Sequence, residues 1–326
     1  MNDTNDRQDQ PEVPERRAQR PPSDLIRLGE IPLRMPGQKD GTSSQKMMRK
    51  PEVKPEECTC RMCGGKFMGE VHTYHLLGRL REWQTSECPG CQVKREVEEK
   101  AEQEHLQEIK IRTIQERWRL ACNLPQGLHA DHFDALDPEY QPKIAARCRG
   151  WAEGFNLDKP QGYPSLFLYS QVPGVGKTTF MACIAHHIIE TWFGDPEHAV
   201  ARPVRMESGP GLVLRIRATY NLPARDTTHE RETDVLNDLI GVPLLMLDDV
   251  GKEPPSAFTR QTYWYIISQR IGADLPIVLN SRLPFSGDDS LRDLMGPDTV
   301  DRLYGMCQGK FLELKGTSYR RLKAIP

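Results

Sequence analysis

The sequence predicts an α/β fold in which helices cover both faces of a central parallel sheet. From about residue 124 onward, short apolar segments alternate with segments typical of helices, as in a parallel sheet with crossover helices. A glycine-rich loop follows the first apolar segment, and two adjacent aspartates end a later one. In a parallel sheet both features fall at the carboxyl edge of the strands, so they are expected to lie side by side.

The predicted elements are short and regular. Four strands are expected at residues 166–169, 204–207, 244–247 and 277–279. Four helices are expected at residues 177–192, 209–221, 229–240 and 257–272. Each predicted strand is apolar throughout, which is typical of strands buried on both faces.

Charge and hydropathy exclude several functional classes. The 326 residues include 44 Lys and Arg against 46 Asp and Glu, which gives a formal net charge of -2. No field of one sign can steer the whole molecule to nucleic acid, so any polyanion contact must be a local patch. We find no apolar run of about 18 residues and no signal peptide. We therefore expect a cytoplasmic protein with no membrane contact.

Four regions are predicted along the chain: a disordered tail at residues 1–56, a cysteine-rich module at 57–92, a linker helix at 93–122 and the α/β domain at 123–326. The tail is rich in Pro, Gln and charged residues, and it has too little apolar surface to offset the entropy of ordering. Its apolar stretch at residues 25–33 is either a short partner-binding element or a sticky segment without a function.

The linker helix is predicted from thirty consecutive residues without Pro or Gly that are dense in Glu, Lys, Arg and Gln. Its apolar residues form only a narrow stripe. The stripe comprises Val93, Val97, Leu106, Ile109, Ile114 and Trp118. We expect the helix to bridge the cysteine-rich module and the α/β domain, with this face docked against the domain.

The loop Pro-Gly-Val-Gly-Lys-Thr-Thr, residues 173–179, lies between a predicted strand and a predicted helix. This is the context of a P-loop, whose glycines let backbone amides approach phosphates at a helix N-terminus. Lys177 is expected to reach the β and γ phosphates of ATP, and Thr178 to offer its hydroxyl to Mg²⁺. The predicted nucleotide-binding residues are Pro173, Gly174, Val175, Gly176, Lys177, Thr178 and Thr179. The motif asks for glycine at position 171, where this chain has Gln171.

Polar residues end two of the predicted strands. Asp248 and Asp249 follow an apolar run about 70 residues after the P-loop, and a buried strand rarely carries carboxylates without a function. Asp248 is expected to hold Mg²⁺, and Asp249 to orient or deprotonate the attacking water. Asn280 ends the next strand, where it could hold that water or the γ phosphate. Solvated turns are the alternative for each motif taken alone.

Several short motifs follow one another in a fixed order along residues 120–322. They are Leu124-Pro-Gln-Gly, Pro173-Gly-Val-Gly-Lys-Thr, Ile216-Arg-Ala-Thr-Tyr, Leu247-Asp-Asp-Val-Gly, Asn280-Ser, Asp301-Arg-Leu and Gly316-Thr-Ser-Tyr-Arg. In this ordered set the chain resembles the DnaC/DnaI group of bacterial and phage helicase loaders and the closely related IstB transposase helpers, all AAA+ ATPases. The resemblance implies an AAA+ P-loop domain, here preceded by a small zinc-binding module and a linker helix.

The resemblance also implies roles for three further residues. Asn280 matches the sensor I position, Arg302 matches the arginine finger that is donated to a neighbouring subunit's ATP, and Arg320 matches the sensor II arginine. A donated finger implies self-association through the ATPase domain. Asp249 stands where many AAA+ proteins have Glu, and its shorter reach is expected to slow hydrolysis.

The helicase loaders keep a helix associated with single-stranded DNA between the first two ATP motifs. The corresponding segment of this chain supplies Arg205, Arg215, Arg217 and Tyr220. The arginines could neutralise phosphates and the tyrosine could stack on a base. An amphipathic helix with solvated arginines explains the pattern equally well.

Two Cys-x-x-Cys pairs predict a structural zinc site. Cys60 and Cys63 form the first pair and Cys88 and Cys91 the second, and this spacing lets all four thiolates face one tetrahedral ion. In a chain without an export signal, such pairs indicate a metal rather than disulfides. An iron-sulfur cluster and a redox pair rank below zinc.

Some neighbouring residues leave the zinc ligand set open. Cys58 could replace Cys60, and His72 or His75 could substitute for a thiolate, although a packing role is favoured for both histidines. No acidic or cysteine partners at metal spacing are assigned to the histidines of the ATP-binding domain, so those residues receive no predicted chemistry. They are His129, His132, His186 and His187.

The combined expectation is an ATPase that loads a replicative DNA helicase onto single-stranded DNA, with ATP, Mg²⁺ and Zn²⁺ as cofactors. Hydrolysis is expected to be slow and stimulated by a partner or by DNA. Two alternatives remain: an IstB-like helper of a transposase, and an ATP-binding adaptor with little turnover, which Gln171 and Asp249 make conceivable.

Overall fold

The computed structural model describes residues 52–76, 79–220 and 230–319. Arg320 and residues 1–51 therefore lie outside the described residues, together with the apolar stretch at 25–33. The chain divides into two compact units, of which the first ends at Ser86 and the second begins at Glu87. Each unit has a sheet of its own.

The first unit is a three-stranded antiparallel sheet in the order β1-β2-β3. Its strands are β1 (Glu52–Thr59), β2 (Lys66–Leu76) and β3 (Arg79–Gln84). The prediction of a tail through residue 56 was therefore wrong for its last five residues, because β1 begins at Glu52. Backbone pairing with β2 holds this segment rather than apolar burial: Val53 pairs with His72 but stays 46% exposed.

A single long helix, α1 (Pro89–Ala121), opens the second unit. It begins four residues earlier than predicted, because Pro89 fits into the first helical turn. The prediction that the apolar stripe of this helix is docked was only partly correct. The first four residues of the stripe, Val93 to Ile109, are 47–62% exposed, whereas Trp118 near the other end is fully buried. Only the last turns of α1 are docked.

The sheet of the second unit has five parallel strands in the order β5-β6-β7-β4-β8. The strands are β4 (Leu166–Tyr169), β5 (Val204–Ser208), β6 (Leu244–Val250), β7 (Ile277–Ser281) and β8 (Phe311–Glu313). The four predicted strands correspond to β4 to β7, and β8 adds an edge strand that was not predicted. The strand before the P-loop thus lies inside the sheet, between β7 and β8.

Seven helices join α1 around this sheet in the described residues. They are α2 (Pro142–Gly154), α3 (Lys177–Glu190), α4 (Gly209–Thr219), α5 (Glu232–Gly241), α6 (Ala257–Gly272), α7 (Leu291–Met295) and α8 (Pro297–Cys307). The predicted fold class, a parallel α/β sheet flanked by helices, is confirmed. In the part of the chain that is described, no helix is both long and apolar enough to cross a membrane.

Two apolar cores lie on opposite faces of the parallel sheet. Leu168 and Met246 belong to one core with residues of α1, α2 and α3, while Phe167 and Leu247 belong to the other with residues of α4 to α8. Alternate residues of a strand point to opposite faces, so a strand buried on both faces must be apolar at every position. This packing fixes the strand ends that carry the polar residues of the site.

Candidate functional site

A cavity of about 370 Å³ opens at the carboxyl ends of the central strands. It is lined by Pro125, Leu128, Pro173, Gly174, Gly176, Lys177, Thr178, Thr179, Asp248, Asp249, Lys252, Arg282 and Tyr319. Most of the residues predicted to bind the nucleotide therefore share one concave surface with both predicted carboxylates. The lining carries cations beside an acidic pair, which suits a ligand of phosphates and a metal ion.

The P-loop takes its shape from two glycines in the left-handed region. Gly174 has φ +78° and Gly176 has φ +87°, and Gly176 directly precedes α3. A Cβ atom on Gly174 would clash with the Ser318 hydroxyl. Gln171 is not among the described residues with positive φ, so the loop does not need glycine at that position. The backbone amides at the start of α3 line the cavity with their partial positive charge.

Lys177 lies at the first position of α3 and is 94% buried beneath the loop. Its ammonium donates hydrogen bonds to the carbonyl oxygens of Ser170 at 3.1 Å and Val172 at 3.5 Å. Burial lowers the pKa of Lys177, and the nearby carboxylate of Asp249 acts in the opposite direction. An anion in the cavity would favour the charged form and give the ammonium a stronger acceptor than either carbonyl.

Asp248 joins three elements of the fold. Its Oδ1 accepts a hydrogen bond of 2.9 Å from the hydroxyl of Thr178 on α3, and it also accepts one from the Asn280 amide at the end of β7. Burial raises the pKa of Asp248, and the charge of adjacent Asp249 raises it further, whereas the two hydrogen bonds lower it. A cation between the carboxylates would relieve their repulsion.

Asp249 is turned away from the regular strand. The pairing of β6 with β7 shifts between Leu247 and Val250, and Asp249 adopts φ +52°, a left-handed conformation that aspartate tolerates. Its backbone N–H donates a hydrogen bond of 2.9 Å to the Asn280 side-chain oxygen. Its carboxylate forms an ion pair with Lys252. The irregularity thus aims two successive carboxylates into the same cavity.

Several cavity residues were missed by sequence reasoning. Pro125 and Tyr319 both belong to motifs that carry the resemblance, so a signal for them existed. Tyr319 is tied to the loop by its backbone N–H, which donates to the Gly174 carbonyl at 2.9 Å. Nothing in the sequence distinguishes Arg282 and Lys252 from the other arginines and lysines. Only the fold shows that they line the cavity.

The structure describes one of the two arginines with predicted roles. Arg302 lies on α8, is exposed, and donates a hydrogen bond of 3.4 Å to the Ser268 hydroxyl. It does not line the cavity of its own chain. Arg320, the predicted sensor II residue, lies outside the described residues, although its neighbour Tyr319 lines the cavity.

The residues of the predicted DNA-binding segment do not form one surface. Arg205 and Arg215 both form ion pairs with Glu207, and the Arg205 side chain is only 12% exposed. Arg217 and Tyr220 remain exposed on α4 and at its C-terminal end, where both contact the ring of Phe258. Of the four residues of the DNA-binding hypothesis, only Arg217 and Tyr220 are therefore exposed, whereas Arg205 and Arg215 are engaged in ion pairs.

The four cysteines of the two pairs come together. One sulfur atom from each of Cys60, Cys63, Cys88 and Cys91 lies within 4.8 Å of the other three. A tight turn shapes the first pair, with the N–H of Gly64 donating to the Cys60 carbonyl at 2.9 Å and Gly64 at φ +71°. This quartet is compatible with a structural zinc ion.

The residues left open as alternative ligands are not in the quartet. Cys58 is buried but is not grouped with the four sulfurs, and neither is His72, which contacts Glu70 and the ring of Trp83. The side chain of His75 lies outside the described residues. The geometry therefore favours Cys60 over Cys58.

Comparison with known proteins agrees with the resemblance inferred from the sequence motifs. No family model matches the chain. Over 186 residues, 57% of its length, the chain is 24% identical to the replicative helicase loader DnaC of Buchnera aphidicola subsp. Baizongia pistaciae and covers 67% of it. The chain resembles the DnaC-type helicase loaders. DnaC of Buchnera aphidicola subsp. Acyrthosiphon pisum is 22% identical over the same length, and the predicted resemblance is confirmed.

Two solved structures are also similar to part of this chain. A crystal structure of the DnaC helicase loader is 22% identical to this chain, with 59% of this chain and 100% of that chain covered and a TM-score of 0.44. The crystal structure of DnaI is 17% identical, with 60% and 94% covered and a TM-score of 0.43.

Replacing single cysteines tests the ligand set of the quartet. In Cys60→Ser we expect the loss of one bound zinc ion per chain, because a hydroxyl is a far weaker zinc ligand than a thiolate. The matched control Cys58→Ser, two residues away, is expected to retain zinc. Metal content of the full-length proteins measures both. If Cys58→Ser loses the metal and Cys60→Ser keeps it, the assignment of Cys60 is wrong.

Proposed function

We propose that this protein is an ATP-dependent loader of a replicative DNA helicase onto single-stranded DNA during the initiation of replication. The proposal is carried by one observation: Lys177, Thr178 and Asp248 line a single cavity in a chain that resembles DnaC-type loaders. The proposal places the protein where the chromosome is copied, which is the bacterial cytoplasm.

The cavity suits ATP bound with Mg²⁺. In this proposal Lys177 contacts the β and γ phosphates, while Thr178 and Asp248 hold the metal directly or through its water shell. The residues fit a divalent ion, since the pKa of Asp248 is raised partly by the charge of Asp249 and a cation would relieve that repulsion. When bound, Mg²⁺ neutralises negative charge on the phosphates.

Hydrolysis needs a residue that orients the attacking water. Asp249 and Asn280 are proposed for this task, because both are held at the cavity by the hydrogen bond between the Asp249 N–H and the Asn280 side chain. Lys252 pairs with one oxygen of the Asp249 carboxylate, Oδ2, so the other oxygen can accept a hydrogen bond from the water without breaking this ion pair.

The first test concerns nucleotide binding. Lys177→Ala removes the buried ammonium, and a hydrogen bond to a charged group contributes about 1.5–3 kcal/mol, so we expect ATP affinity to fall by about 10- to 150-fold. Calorimetry with a non-hydrolysable ATP analogue and Mg²⁺ measures the effect. Lys143→Ala, an exposed lysine on α2, is the matched control. Unchanged affinity in Lys177→Ala would remove the basis of the proposal.

Arg302 is proposed to act on the ATP of a neighbouring subunit. It is exposed on α8 and lies outside the cavity of its own chain, as expected for a residue that completes a site only after assembly. A planar, permanently charged guanidinium suits the charge that develops on the transferring phosphoryl group. Self-association of the ATPase domain then becomes a condition for turnover.

A mixing experiment tests this role. Arg302→Ala should bind ATP normally but lose turnover by about 10³-fold, the effect of removing an arginine finger. Mixing it with Lys177→Ala should restore part of the activity, because one variant binds ATP and the other supplies the arginine. Arg292→Ala, exposed on α7, is the control and should remain active. Failure of the mixture to recover any turnover would exclude action in trans.

The proposed partners use different surfaces. We assign single-stranded DNA to Arg217 and Tyr220, since a cation beside an exposed aromatic ring suits a phosphate next to an unstacked base. The cysteine module, with zinc bound by its four thiolates, and the exposed turns of α1 are proposed to dock the helicase.

The decisive test is reconstitution. Full-length protein, the replicative helicase of the same organism, ATP and circular single-stranded DNA are combined, and helicase bound to the circle is measured. We expect the protein to increase this binding in an ATP-dependent way, with Lys177→Ala inactive. Binding of duplex DNA together with a transposase, and no capture of helicase, would instead identify a transposase helper.

A further inference from the structure

A second group of possible metal ligands lies at the far end of the P-loop helix. His186 and Glu190 are four residues apart on α3, so they share one face of the helix. His132 precedes the 3-10 turn at residues 133–135. One ligand atom from each of these three residues lies within 4.8 Å of the other two. The prediction that His132 and His186 lack an acidic partner at metal spacing was therefore wrong, because Glu190 was overlooked.

His186 is held in the form that a metal requires. The residue is 2% exposed, and its Nε2 lies 3.2 Å from the Leu128 carbonyl oxygen. A carbonyl only accepts, so Nε2 carries the proton and Nδ1 presents a lone pair. Among the described residues that buried Nδ1 has no hydrogen-bond partner. Metal-binding histidines commonly donate their other ring N–H to a backbone carbonyl in this way.

The other two ligand atoms are already at a suitable separation. His132 Nδ1 lies 3.3 Å from Glu190 Oε2, and two ligands of a tetrahedral zinc ion with bonds of about 2.0–2.1 Å are separated by about 3.3 Å. The rings of His132 and His186 are 4.5 Å apart between centroids. Arg119 binds the second oxygen, Glu190 Oε1, at 2.8 Å, which leaves Oε2 directed to the histidines.

We propose that His132, His186 and Glu190 form a binding site for a divalent transition-metal ion, with Zn²⁺ as the best match. Two imidazoles and one carboxylate suit zinc and its neighbours rather than Mg²⁺ or Ca²⁺, which prefer oxygen ligands throughout. The three protein ligands leave a fourth position for water. This site uses no residue of the cysteine quartet and none of the residues that line the proposed ATP cavity.

The site connects a loop to the P-loop helix. The ring of His186 is hydrogen-bonded to the carbonyl oxygen of Leu128 in this loop. Leu128 and nearby Pro125 both line the cavity. A metal ion that joins His132 to α3 holds this loop against the helix. The same ion gives the buried Nδ1 of His186 a partner. Since the ion binds only the folded protein, it also stabilises the fold.

Metal stoichiometry of the full-length protein tests the site. After equilibration with micromolar free zinc and removal of excess ion, His132→Gln is expected to hold one zinc ion fewer per chain than the unaltered protein. His187→Gln, a neighbouring half-buried histidine on α3 outside the group, is the matched control and should match the unaltered protein. Equal zinc content in the unaltered protein and His132→Gln would overturn the proposal.

Cobalt distinguishes this site from the cysteine quartet. Co²⁺ bound by nitrogen and oxygen gives ligand-field absorption without the thiolate charge-transfer bands of a cysteine site. The difference spectrum between the unaltered protein and His132→Gln should therefore contain ligand-field bands alone. His132 is partly exposed, so its variant is expected to fold, and circular dichroism checks this. A difference spectrum with thiolate bands, or no difference, would count against the site; neither result depends on ATP binding.

Discussion

The carboxylate of Asp248 is the point at which the site and the fold depend on each other. It accepts hydrogen bonds from Thr178 on the P-loop helix and from Asn280 on the next strand. A buried carboxylate that lost these donors would be costly, because desolvation disfavours its charge. The three elements therefore keep their relative positions in part because each supplies one member of this group.

The same arrangement explains why the cavity lies at this edge of the sheet. Parallel pairing brings the ends of β4, β6 and β7 to one side, and the shifted pairing between Leu247 and Val250 then turns Asp249 out of the strand. Asn280 satisfies the backbone N–H that this turn exposes. One amide side chain thus supports both carboxylates, through a donor to Asp248 and an acceptor for Asp249.

Sequence patterns predicted the second unit well because its strands are apolar and its motifs are local. The P-loop, the two aspartates and Asn280 were all found from short segments next to predicted strands. The predictions from sequence patterns failed where contacts between distant segments determine the structure. β1 is held by pairing rather than burial, and Arg205 and Arg215 both form ion pairs with Asp238 on α5. Glu190 gains significance only when the fold brings His132 beside it.

The positions of the cations suggest how nucleotide binding and turnover are kept separate in the proposed function. Lys177, Lys252 and Arg282 line or approach the cavity of one chain, so phosphate charge can be neutralised by a single subunit. Arg302 is instead displayed on the exposed surface of α8, supported by a weak contact with Ser268. Binding then needs only one folded chain, whereas transition-state stabilisation needs a second. In the proposed function, hydrolysis is thereby postponed until at least two chains have assembled.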